Sequence, residues 1–172
     1  MTRHGMGLFS LTLVSLLALS FGSQAEETGA FRHGGDVYAV GEAASLERGA
    51  ERSAYLAAGE VETEAQIGRD AHIVGFDVEV NAPVLGDVLA AGAFVSLDAK
   101  VDGDVSAAGV NVTLKDHAVV GGNVRAVGRT VTLEGALQGN ALVAAANLVV
   151  DGPVAGDVVF AGQSLAFGPN AT

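Results

Sequence analysis

The chain has no cysteine, no tryptophan, 3 prolines in 172 residues and aromatic side chains at 5% of positions. Without cysteine there is neither a disulfide nor a thiolate metal site. Few aromatics exclude a bulky globular core and leave few platforms on which sugars or bases could stack. Basic residues are scarce too: 9 Lys+Arg face 20 Asp+Glu, for a formal net charge of −11. Such an acidic chain is a poor binder of nucleic acid or anionic lipid, and no nucleic-acid partner is expected.

What the chain has in quantity is glycine, 24 residues, within a composition that is 49% hydrophobic. The glycines are periodic. The phrase GDVYAVG at 35–41 returns as GDVLAAG at 86–92, GDVSAAG at 103–109, GNVRAVG at 122–128 and GDVVFAG at 156–162. Degenerate copies read as Ser53 to Gly59, Arg69 to Gly75 and Gly139 to Ala145. The eight copies start at 35, 53, 69, 86, 103, 122, 139 and 156, giving coils of 16–19 residues. A fixed period of this length marks a solenoid, in which each coil buries its apolar face by stacking on its neighbours.

The columns of the repeat identify an all-β solenoid. Apolar residues alternate within each coil, as in Val88 and Ala90, then Val95 and Leu97, with a further apolar position at Val84, Val101, Leu137 or Val154. Period-two pairs separated by turns predict short strands with alternate residues facing inward. So many glycines would break amphipathic helices. The expectation is a single-stranded parallel β-helix of about eight coils, with three short strands and three corners per coil and a length of roughly 38 Å. One inward ladder is predicted to run Val37, Tyr55, Ala71, Val88, Val105, Val124, Ala141 and Val158. The glycine closing each phrase should mark a corner that a side chain would obstruct.

The first 25 residues read differently. Arg3 and His4 precede an apolar stretch from Leu8 to Leu19, and Ser23 and Ala25 offer small residues at a cleavage spacing before Glu26. This pattern predicts a secretory signal peptide cut after Ala25. Export to the periplasm or cell envelope is the expected localisation. The remaining chain would carry 8 basic and 20 acidic residues, a net −12. Residues 26–34 form a lead-in, and Glu26 to Arg32 looks too short and polar to cap the β-helix domain at 35–172.

The candidate chemistry is thin. Asp36, Asp70, Asp87, Asp104, Asn123, Asn140 and Asp157 form a turn column. Its expected role is local bonding of backbone amides, with the asparagines relieving carboxylate repulsion. The dense Gly-Gly-x-Gly-x-Asp pattern of calcium-loaded β-rolls is absent. His33, His72 and His117 fall in different places of the repeat, so no catalytic dyad or metal site is expected from them. Asp116 and His117 sit in the longest coil and should bulge outward. Ser96, Thr113 and Thr132 form an outward column with no histidine base at a fitting spacing. Coils this short build no catalytic cleft like that of pectin-lyase-like enzymes, and the motif is unlike that of hexapeptide acyltransferases. No enzyme activity and no cofactor are expected.

The repeated Gly-Asp-Val-x-Ala-Ala-Gly, followed by a Val-x-Leu pair and a second Gly-Asp, resembles the bactofilins, or polymer-forming cytoskeletal proteins. The similarity is best at 86–122 and 139–162 and extends over Gly34 to Thr172. The resemblance implies a right-handed parallel β-helix that polymerises end to end without nucleotide and organises the cell envelope. It implies no catalytic or ligand residue. Typical bactofilins are cytoplasmic, whereas this chain carries an export pattern.

Assembly is also expected on physical grounds, because a β-helix end exposes unpaired strand edges and an open apolar section. Phe160, Leu165 and Phe167 are the bulkiest inward candidates of the last coil and form the candidate assembly interface. Either that end stacks on another copy or the chain is the opening part of a longer array. The alternative function is a monomeric exported module. It would bind an envelope protein or glycan through outward residues such as Leu89, Phe94, Val110, Leu142 and Val159.

Overall fold

The structure, a computed structural model, describes residues 30–172. The expected signal peptide and the expected cut after Ala25 therefore lie outside the described residues. Every element among them is a strand. The first coils contain β1 (Phe31–His33), β2 (Asp36–Leu46), β3 (Ala54–Thr63), β4 (Ala71–Val74) and β5 (Asp77–Val80). The middle coils contain β6 (Val88–Leu97), β7 (Lys100–Val101), β8 (Val105–Leu114) and β9 (Val119–Val120). The last contain β10 (Val124–Leu133), β11 (Ala136–Leu137), β12 (Ala141–Val150) and β13 (Val158–Phe167).

The long strands stack in parallel and in sequence order, with β4 and β5 filling one layer between β3 and β6. Register is kept coil to coil, so Val88 pairs with Val105 and Val105 with Val124. A second, narrower side is made by β7, β9 and β11, and by bridges linking Ala50, Ile67, Val84 and Val101. The result is a β-solenoid of about eight turns.

The predicted three separate strands per coil are not what forms. In most coils the first two sides run as one ten-residue strand, bent at its fifth residue. Gly92, Gly109 and Gly128 pair with one another at this bend, and the register skips the residue after each, Ala93, Val110 and Arg129, before resuming. Glycine is needed for closeness rather than for an unusual dihedral. A Cβ on Gly109 would sit 2.7 Å from the carbonyl oxygen of Gly92. The corners are also bonded from coil to coil, as where the Gly122 amide donates to the Gly103 carbonyl at 2.9 Å. Corner backbone is thereby satisfied without water.

The core is one continuous stack of buried Val, Ala, Leu and Ile. β-branched and small residues fit it because like residues repeat every 17 positions or so and meet across a parallel ladder. Among the described residues Ser53 and Thr63 are the buried polar side chains, and Thr63 is the deeper. It lies fully buried between Leu46 and Val80, and its hydroxyl has no hydrogen-bond partner.

One inward assignment is corrected. Tyr55 does not join the ladder; Ala54 does, pairing with Val37 on one side and Ala71 on the other. Tyr55 points outward between Tyr38 and His72. The second copy therefore starts at Arg52 rather than Ser53, and Ala58, not Gly59, stands opposite Gly41. The reason is volume: the inner column accepts Ala at 0% exposure where a tyrosine would not fit.

Candidate assembly surface at the last coil

β13 pairs with β12 in full parallel register: Phe160 with Val143, Leu165 with Leu148 and Phe167 with Val150. The β12 partners are all buried, at 1%, 1% and 2% exposure. Their β13 counterparts occupy the same columns with nothing among the described residues stacked on the far side. Leu165 is 41% exposed and Phe167 64% exposed, while Phe160 is half-buried against the core. An open hollow of about 340 Å³, bordered by Val150, Val158, Phe167 and Ala171, lies beside them. The three predicted residues are thus brought to one apolar surface, next to the unpaired edge of β13.

The opposite end is built differently, and the sequence reading missed how. β1 folds back antiparallel on β2 through Gly34 and Gly35, both with positive φ (59° and 89°). The Gly-Gly pair is the hairpin signal that could have revealed this. β1 covers only Asp36 to Tyr38 of β2. Arg32 reaches further, its guanidinium donating to the carbonyls of Arg48 (2.6 Å) and Gly49 (2.7 Å). Part of the lead-in, Phe31 to His33, therefore does cover the first coil, contrary to expectation.

The turn column holds neighbouring coils together. Asp36, Asp70, Asp87, Asp104, Asn123 and Asn140 each accept, through Oδ1, a backbone N–H of the next coil at 2.7–3.1 Å. The bonded amides belong to the following coil, not to the residue's own turn as expected. Asn140 Nδ2 also donates to Asn123 Oδ1 at 3.1 Å, an amide rung in a column of carboxylates. Asp104 accepts from the Asn123 backbone and from Arg125, and these bonds hold its carboxyl below its ordinary 3.8. Asp157, last in the column, has no coil above it among the described residues.

The histidines are separated, as expected. His72 stacks on Tyr55 at 4.8 Å between centroids, and Tyr55 on Tyr38 at 5.0 Å, with interplanar angles of 3° and 8°. The facing surfaces of these rings are taken up by one another. His117 does bulge outward with Asp116, at 79% and 75% side-chain exposure. Its Nδ1 lies 3.2 Å from Asp116 Oδ1 and 3.4 Å from Asp98 Oδ1. This convergence was not foreseen, because Asp98 belongs to the preceding coil. Among the described residues it is the group of three metal-capable side chains that comes together.

Comparison with protein-family models, characterised proteins and solved structures finds no match to this chain.

Proposed function

We propose that the chain is a non-enzymatic structural protein of the cell envelope that self-assembles end to end through its last coil, as a bactofilin-like scaffold. The observation that carries this reading is the apolar surface of Phe160, Leu165 and Phe167 beside the free edge of β13. An open edge supplies directional hydrogen bonds, and the apolar section supplies the centre of an interface. The partner is another copy of the chain.

The test is sedimentation of the purified protein over a concentration series, with negative-stain microscopy. Wild type should form rods longer than one solenoid. Phe167→Arg should shorten or abolish them while leaving the earlier coils folded, because solenoid stability is set by near neighbours. A wild-type protein that stays monomeric at high concentration removes this function and leaves the exported binding module.

A further inference from the structure

Sides one and two of each coil present opposite chemistry. On side two the outward residues of the early coils include Glu60, Glu62, Asp77 and Glu79, and later ones are Asn, Ser and Thr with Phe94, Val149 and Ala166 among them. On side one each of the eight coils presents two outward residues, sixteen in all, and none is a carboxylate. The chain as a whole has 20 Asp+Glu. Side one instead exposes Val40 at 70%, Val74 at 58%, Leu89 at 54%, Val127 at 59%, Leu142 at 55% and Val159 at 57%. Alanines such as Ala91 and Ala108 lie between these larger residues and floor a shallow trough of about 510 Å³. The one guanidinium on this side, that of Arg125, bonds Asp104 in the turn column at 2.9 Å.

We infer that side one is a lateral docking surface for side one of a second copy, pairing solenoids face to face. Three arguments select that occupant. Two flat apolar sheet faces pack at about 10 Å with side chains interdigitated, and alternating Leu or Val with Ala supplies both ridges and hollows. The face spans roughly 38 Å by 13 Å, so a pair buries on the order of 1,000 Å², the lower bound of a specific interface. Charge decides the rest. In a chain of net −11, side one is where two copies meet without facing carboxylates. The same net charge opposes an anionic lipid surface. Pairing is expected to strengthen as salt screens the acidic sides. This surface does not depend on the last coil, so it is tested apart from end-to-end assembly.

The experiment compares wild type, Val127→Glu and Phe167→Arg by sedimentation equilibrium at low and high salt, with thermal melts as a folding check. Val127 is outward, so Val127→Glu should melt like wild type while halving the mass of the paired species. Phe167→Arg should keep the pairing. A second readout places a single cysteine at Ala108, in the middle of side one, or at Thr113 on side two. A bismaleimide of about 10 Å span should cross-link Ala108→Cys into dimers and leave Thr113→Cys monomeric. The inference is overturned if a folded Val127→Glu pairs as wild type does, or if both cysteines cross-link equally. It is also overturned if wild type stays unpaired and floats with zwitterionic vesicles in a way that Val127→Glu abolishes, which would assign the face to lipid.

Discussion

Asp87 accepts the backbone N–H of Asp104, one coil further on, at 2.8 Å through Oδ1. The aspartates of this column are therefore rungs between coils, and Gly86, Gly103 and Gly122 leave room for the carboxylates of Asp70, Asp87 and Asp104 in the coil before. Asp87→Ala should remove one rung and cost about 1 kcal/mol, whereas Asp87→Asn, which keeps an acceptor oxygen, should cost far less. Urea denaturation of the two variants checks this. Equal losses would mean that the rung is not the source of the stability.

Val105 is 2% exposed between Val88 and Val124, and Ser106 is its half-exposed outward neighbour. Val105→Asp buries a carboxylate without a partner and should cost about 4 kcal/mol. Ser106→Asp should change stability by roughly half a kcal/mol or less. Thermal melts compare the two, and equal tolerance would invert the inward and outward assignment.

The corrected register of the second coil makes its own prediction. Ala54→Leu overpacks a narrow inner column and should destabilise by about 1–3 kcal/mol. Tyr55→Ala loses only the stack with Tyr38 and His72, about 1 kcal/mol. A larger loss at Tyr55 than at Ala54 would restore Tyr55 to the core.

Thr63 offers a stabilising change. Its buried hydroxyl has no hydrogen-bond partner and its neighbours in the column are Leu46 and Val80. Thr63→Val keeps the shape, removes the unsatisfied group and should stabilise by about 1 kcal/mol. A lower melting temperature would show that the hydroxyl is satisfied in solution.

The Asp104 carboxyl titrates below its ordinary 3.8, first because the Asn123 backbone N–H bonds it and next because Arg125 does. A depressed folded value means a stabilising contribution that is complete above the unfolded value and is lost as pH falls through the folded one. The loss should therefore appear below about pH 4. Asp104→Asn removes the titrating group, so its melting temperature should fall less steeply between about pH 4 and pH 2. Parallel acid limbs for the two proteins would refute this.

The eight-fold repeat and its inward columns were legible in the sequence because strand side chains alternate with a period of two and like residues recur at each coil. Phe160, Leu165 and Phe167 could be placed in their columns for the same reason. The second coil was misread because Ala58 and Gly59 offer two alignments with Gly41, and only the volume of the inner column chooses between them. The Gly34-Gly35 hairpin was overlooked beside the stronger repeat, although its signal was present.

By itself the sequence determined the period, the strand type and the residues that fill the core, since these depend on local alternation and spacing. The tertiary structure alone decided which side chains outside the inward ladders meet across coils. Asp98 approaches His117, Arg32 reaches the carbonyls of Arg48 and Gly49, and the turn-column side chains from Asp36 to Asn140 bond the next coil instead of their own turn. It also separated an apolar side from an acidic one. Stacking brings residues 16 to 21 positions apart into contact, and where each side chain then points depends on the register and corner geometry of the coils together, which no local stretch of sequence contains.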